Sequence, residues 1–310
     1  MVLPEQFSGQ KMLVTGASGF LGSHLCSRLC MSGIEVHAIS RTKRSSDVRC
    51  LHWWQADLGD IATVQNLLNT IKPDVIFHLS GQVTAAPNLE LVLPTLHSLF
   101  VSTVNLLTAA TEMGCRRIVL TGSLTEPEPG HTDAAPGSPY AAAKWASNAY
   151  GRMFHELYQA PVVIARPFMT YGPRQDRRKL IPYIILSLLK GEAPQLSSGQ
   201  WQADWIYVDD AVDGLLAAAH LPDLEGHTVD LGSGVLVSVR AVVQHIVTLV
   251  DPRVEPLFGA LADRPLEQVR VADTASSYAL MGWQPTTPLE EGLQRTLTWY
   301  ERQSKLGTST

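Results

Sequence analysis

Ser123, Tyr140 and Lys144 carry the groups needed to move a proton on or off a carbonyl oxygen. Tyr140 and Lys144 stand four residues apart in a segment of helical period, which puts both on one helix face. A free phenol has a pKa near 10, too high to exchange protons readily at neutral pH. An ammonium about 4 Å away at an effective dielectric near 20 contributes roughly 4 kcal/mol, enough to bring that phenol toward neutrality. Ser123 falls just past an expected strand end, where its hydroxyl can hydrogen-bond the reacting oxygen and aim it at the phenol. The set suits interconversion of carbonyl and alcohol, which also needs a hydride carrier.

A place for that carrier lies about a hundred residues earlier, where Thr15 to Gly22 reads TGASGFLG between an apolar strand and an amphipathic helix. Gly16, Gly19 and Gly22 divide three demands between them: a sharp turn, approach of the backbone to a pyrophosphate, and close packing of helix on strand. The helix N-terminal amides and dipole receive the negative charge, Ser18 adds a hydroxyl, and Phe20 and Leu21 complete the cofactor turn. About twenty residues on, the second strand ends in Ser40-Arg41-Thr42-Lys43-Arg44. An acid here would hold the ribose of NAD, a base the 2′-phosphate of NADP. There is no acid, so NADP(H) is the expected cofactor, with Arg41 its foremost phosphate ligand.

The elements that must position these groups are legible as short apolar runs alternating with stretches of helical period. Strands are expected at Lys11 to Thr15, Glu35 to Ser40, Leu51 to Ala56, Asp74 to Leu79, Arg116 to Gly122 and Pro161 to Arg166. Helices are expected near Phe20 to Ser32, Ile61 to Ile71, Leu91 to Met113 and Tyr140 to Tyr158. This is an α/β chain with a Rossmann-type doubly wound parallel sheet, its ligands at the carboxyl ends of the strands. After Phe168 the prolines crowd, so residues 169–310 are expected to form a smaller, partly interleaved substrate lobe, with 1–168 the dinucleotide-binding domain and a return near 203–220. The LGSG at Leu231 to Gly234 lacks a strand-to-helix context and reads as an ordinary loop.

The composition allows this reading. The chain has 310 residues, 45% of them hydrophobic, with a formal net charge of -5, which argues against nucleic acid or an anionic membrane as partner. Cys26, Cys30, Cys50 and Cys115 show no CxxC spacing and are expected as reduced core thiols. The N-terminus has no signal-like pattern and no segment is read as spanning a membrane, so cytoplasmic residence is expected. Ten histidines without ligand spacing give no metal site. Trp53 and Trp54 are assigned to packing, and Trp201 and Trp205 either to packing or to a substrate pocket.

Taken with HLSG at His78 to Gly81, RPFMTYGP at Arg166 to Pro173, DWIYVDDAVDG at Asp204 to Gly214 and LMGWQPTTPLEEGL at Leu280 to Leu293, the glycine turn and the Ser, Tyr, Lys set resemble the extended short-chain dehydrogenase/reductases, the group of nucleotide-sugar epimerases, dehydratases and reductases. The resemblance implies that Asp57 and Leu58 flank the adenine, that Leu79, Ser80 and Gly81 line the cofactor, and that Lys144 also holds the nicotinamide ribose. Arg166, Pro167 and Phe168 would pass the nicotinamide, with Tyr140 beside it. Substrate contacts fall to Thr84, Met169, Lys179 and Arg264, and Asp209 and Asp210 are structural landmarks. A homodimer through the two long helices is implied as well.

The departures narrow the reaction. Dehydratases of this group carry an Asp-Glu pair after the catalytic hydroxyl residue, and here stand Leu124 and Thr125, which removes the acid and base of water elimination. Glu126-Pro127-Glu128 replaces VYG. Met169 and Ala203 replace an Asn and an Arg that contact the substrate diphosphate, for which Lys179, Arg174 or Arg177 could compensate. The resulting expectation is an NADPH-dependent ketoreductase acting on a nucleotide-linked keto sugar. A nucleotide-sugar epimerase with tightly bound NAD(P) is the alternative, and a non-catalytic cofactor-sensing protein is a third reading.

Overall fold

The computed structural model describes residues 4–307 apart from 82, 85, 127–134 and 264–267. Its strands are β1 Lys11–Thr15, β2 Glu35–Ser40, β3 Leu51–Gln55, β4 Val75–His78, β5 Arg117–Thr121, β6 Val162–Pro167, β7 Met169–Tyr171, β8 Gln195–Leu196, β9 Gln202–Tyr207, β10 Thr228–Leu231, β11 Leu236–Ser238 and β12 Leu257–Phe258. Its α-helices are α1 Phe20–Met31, α2 Ile61–Ile71, α3 Val92–Thr95, α4 Ser102–Met113, α5 Pro139–Tyr158, α6 Leu180–Leu189, α7 Val208–His220, α8 Val239–Val250, α9 Thr274–Met281 and α10 Leu289–Gly307. The six sequence-predicted strands are β1 to β6.

Seven strands form one sheet in the order β10-β6-β5-β4-β1-β2-β3, with parallel registers from β3 through β6. The strand order reverses between β1 and β4, the switch point at which open α/β sheets bind ligands. One face of the sheet is closed by α2, α4 and α5 around a core of Leu13, Ile39, Ile76, Ile118, Leu120 and Ile164. In α2 the buried Val64, Leu67, Leu68 and Ile71 repeat at helical spacing, and Asp60 caps the start by accepting from the Ala62 and Thr63 amides.

The long helix expected over Leu91 to Met113 is continuous in direction but not in type. A 3₁₀ turn at Leu89–Leu91 leads into α3, a π segment at Leu96–Val101 and then α4. Pro94 lacks the amide that an α-helix interior requires, which accounts for the irregular entry. The run Leu89–Met113 reaches a hydropathy of 1.5 and is long and apolar enough, by length and composition alone, to cross a membrane, which the sequence reading did not anticipate. Leu106, Leu107, Ala109 and Ala110 account for much of that apolarity and are buried in the core against the sheet.

The chain divides into two compact units. The first holds the described residues up to 167 with 212–230 and 275–283, so the chain returns to it twice, and the first return shares 212–220 with the expected one. In the second unit β7 runs parallel and β11 antiparallel to β9, and β8 pairs with β12. Two buried aspartates pin its loops. Asp204 accepts from the amides of Ser233, Gly234 and Ala272, which gives the LGSG loop a definite place, and Asp210 accepts from the Thr286 and Thr287 amides. Trp201 and Trp205 donate to Gln268 O and Val237 O, so their indoles serve as braces within this unit.

Candidate active site

The sheet order sets the ends of β3, β2, β1, β4, β5 and β6 in a row, and the residues singled out in the first unit follow those ends. After β1 the chain turns at Gly16, with φ +66°, where a Cβ would sit 2.7 Å from Leu79 O. At Gly22 a Cβ would collide with Gly16 O and stand 2.8 Å from Ala17 Cα, so α1 can approach the turn only with glycine there. Gly19 is the N-cap of α1 and makes no side-chain cap, leaving the amides of the first turn open to a ligand. Ser18 is exposed, and Phe20 and Leu21 open the helix half-buried. A cradle that any side chain would fill, beside an uncapped helix start, fits a dinucleotide pyrophosphate.

Next along the row, Arg41 is exposed after β2, and its carbonyl accepts from Gln55 Nε2. Asp57 and Leu58 follow β3, where Asp57 caps the Gly59 amide and Asn105 donates to Leu58 O. Arg44 lies over the Trp53 ring at 5.6 Å. Leu79, Ser80 and Gly81 follow β4, and the Ser80 amide donates to Thr15 Oγ1. Thr84, half-buried, comes shortly after.

Ser123 lies after β5 in a turn clasped by α5. Its hydroxyl lies 2.9 Å from Thr125 Oγ1 and acts on the Tyr140 phenol, favouring its ionised form. Tyr140 stands at the start of α5, where Ser138 accepts from the Ala141 amide and Pro139 fixes the first turn. Lys144, one turn on, is buried. Its ammonium donates to Thr121 O at 2.8 Å and Thr121 Oγ1 at 3.1 Å.

These bonds correct one expectation. The spacing does put Tyr140 and Lys144 on one face, but the ammonium is anchored on the end of β5, and burial raises the phenol's pKa. The Ser123 hydrogen bond works against that rise and the charge of Glu126 adds to it. Burial lowers the Lys144 pKa to about 8, against the pull of Glu126.

Arg166 lies near the end of β6. Its Nε donates to Asp230 Oδ1 at 2.6 Å, an ion pair that ties β6 to β10. Pro167 closes β6. Phe168, Met169 and Lys179 belong to the second unit, where Phe168 is buried, Met169 pairs in register with Trp205, and Lys179 is exposed at the start of α6. Arg264 lies outside the described residues.

Residues 12–232 match the profile of the NAD dependent epimerase/dehydratase family. The chain belongs to that family. Among its relatives, a UDP-glucose 4-epimerase of Mycolicibacterium smegmatis is 31% identical over 95% of this chain and 100% of its own length. A dTDP-glucose 4,6-dehydratase of Haemophilus influenzae is 27% identical over 93% and 97%. Of the solved structures, MoeE5 in complex with UDP-glucuronic acid and NAD is 28% identical, covers 94% of this chain and 99% of its own, and superposes with a TM-score of 0.84.

Three residues packed around the candidate site are not singled out by the sequence. Glu126 is buried below Ser123, Asn148 donates to it, and His78 is buried between β1 and α4. A signal for one of them was present: Tyr140, Lys144, Asn148 and Arg152 recur at four-residue intervals, one polar stripe along α5.

Proposed function

We propose that this chain is a nucleotide-sugar epimerase, which oxidises one sugar carbon and reduces it again on the other face without net consumption of its dinucleotide. The observation that carries the reading is Ser123 after β5 acting on the phenol of Tyr140 at the start of α5, with Leu124 and Thr125 in place of the acid and base that elimination would require. The 31% identity to a UDP-glucose 4-epimerase over its full length supports it.

A nicotinamide dinucleotide in the glycine cradle supplies acceptance and return of a hydride. The rest of the work falls to side chains. Tyr140 takes the proton of the sugar hydroxyl in one half and gives it back in the other. Ser123 holds the reacting oxygen toward the phenol, and Lys144 secures the end of β5 and carries a positive charge beside the site. Asp57, Leu58, Leu79, Ser80 and Gly81 line the dinucleotide, while Thr84 and Pro167 bound its sugar end.

The protein as purified, given UDP-glucose or UDP-glucuronate and no added dinucleotide, is expected to form the epimer. The outcome that would sink the proposal is no epimer from any nucleotide sugar, together with one NADPH consumed per keto sugar reduced. That result would favour the ketoreductase.

We infer NADP(H) rather than NAD(H) from the basic run after β2, since no acid stands where a ribose diol would be held. Arg41→Asp is expected to weaken NADPH binding by about ten- to a hundredfold, the worth of a charge-assisted hydrogen bond, with a much smaller effect on NADH. Equal losses by fluorescence titration would reject the assignment. A homodimer is supported by exposed Leu89, Val92, Leu93 and Leu96 before α4 and by Tyr150, Leu157 and Tyr158 on α5.

A further inference from the structure

We propose that Glu126 is a positioning residue for the acid/base pair: its buried carboxylate clamps the Ser123 turn onto α5 and sets a negative charge beside the pair. No feature of an ordinary turn calls for an acid at this place. The turn closes on itself through Glu126 N to Ser123 O at 3.2 Å, and Trp145 Nε1 donates to Thr125 O. Glu126 Oε1 then accepts from the Ser123 amide at 2.9 Å and from Asn148 Nδ2 at 2.5 Å, with 4% of the residue exposed. Gly122 leaves the room, since a Cβ there would stand 2.9 Å from Oε1.

The two hydrogen bonds need only a carbonyl oxygen. A glutamine would keep both, so for these two bonds a buried charge adds a desolvation cost and no gain. What the charge adds is electrostatic. Arg152 Nη1 lies 3.8 Å from Oε2 and is about half exposed, and Glu126 also acts on both Tyr140 and Lys144. Among the described residues, His78 on β4 also feels the Lys144 charge and is neutral at neutral pH. An anion beside a phenol opposes phenolate, and beside an ammonium it opposes loss of the proton. Both effects favour the state that can give a proton to a carbonyl. Glu126 thus favours the reductive half of the cycle, and the oxidative half must draw on whatever the substrate and dinucleotide add.

This rests on the reading of Tyr140 as acid and base, but the test reads the phenol directly. Tyrosinate absorbance is followed milliseconds after a pH jump in the full-length protein, with the Tyr140→Phe trace subtracted to isolate one of the eight tyrosines. Glu126→Gln is expected to lower the midpoint by about one pH unit, as removal of a nearby like charge should. An unmoved or raised midpoint overturns the proposal. A clamp without electrostatic influence would leave the midpoint where it was. If Glu126→Gln fails to fold, Arg152→Ala decides, because it strips a cation from the carboxylate at a half-exposed position. A raised midpoint then supports the proposal, and an unmoved or lowered one overturns it. Turnover retained by Tyr140→Phe would defeat the epimerase reading and leave this measurement intact.

Discussion

Replacing Tyr140 with phenylalanine is expected to lower kcat by about 10²- to 10⁴-fold, the usual worth of a positioned proton donor and acceptor, with little change in KM. The substitution keeps the ring at the start of α5 and deletes only the hydroxyl on which Ser123 acts. That hydroxyl is costly to ionise where it stands, since burial and the Glu126 charge both raise its pKa. Its removal therefore leaves no charge unpaired, and thermal stability should hold close to wild type. Steady-state kinetics with a nucleotide sugar, beside a melting curve, separates chemistry from folding. Activity within about tenfold of wild type in a stable Tyr140→Phe protein would exclude the phenol from the proton transfer. The polarity of Lys144 gives the loss its direction. With the ammonium held on Thr121, phenylalanine cannot be replaced by the lysine as a proton source without breaking the bonds at 2.8 and 3.1 Å.

What the sequence disclosed follows from how local each feature is. The strands of the first unit were legible because a doubly covered parallel strand is apolar on both faces, as in Met12 to Val14 and Ile118 to Leu120, all buried. The glycine turn and the Tyr140–Lys144 pair were legible because their geometry is fixed within one turn of helix. Partnerships made across long stretches of chain were not. The pairing of Arg166 with Asp230, 64 residues away, is one of them. Glu126 looked like a variant loop residue because only the fold of the turn onto α5 shows that Asn148 reaches it. The π segment before α4 was hidden behind ordinary helical periodicity. The second return to the first unit, at 275–283, depends on tertiary packing that no window of sequence contains.

His78 is the other residue whose weight only the structure shows, and it sets a steep acid limit on stability. Thr103 gives its hydroxyl proton to Leu99 O at 2.6 Å, so it must accept from His78 Nε2 at 2.9 Å. Nδ1 is then the acceptor for Thr15 Oγ1, also at 2.9 Å, and the ring is neutral with its proton on Nε2. Burial, aided by the Lys144 charge, lowers its pKa from 6.5 to about 3. Above pH 6.5 the ring is neutral folded or unfolded and contributes no pH dependence. As pH falls below 6.5 the unfolded chain takes up a proton that the folded protein refuses, so stability drops by about 1.4 kcal/mol per pH unit until the folded pKa is reached. The whole window is worth about 5 kcal/mol, comparable with the net stability of a domain. Urea midpoints at pH 7 and pH 4.5 should therefore diverge in the wild type and diverge by about 2 to 3 kcal/mol less in His78→Gln, whose amide can still donate and accept but does not titrate. Equal acid sensitivity in the two proteins would mean that His78 is protonated in the folded state, and the Thr15–His78–Thr103 chain would have to be redrawn with both ring nitrogens donating.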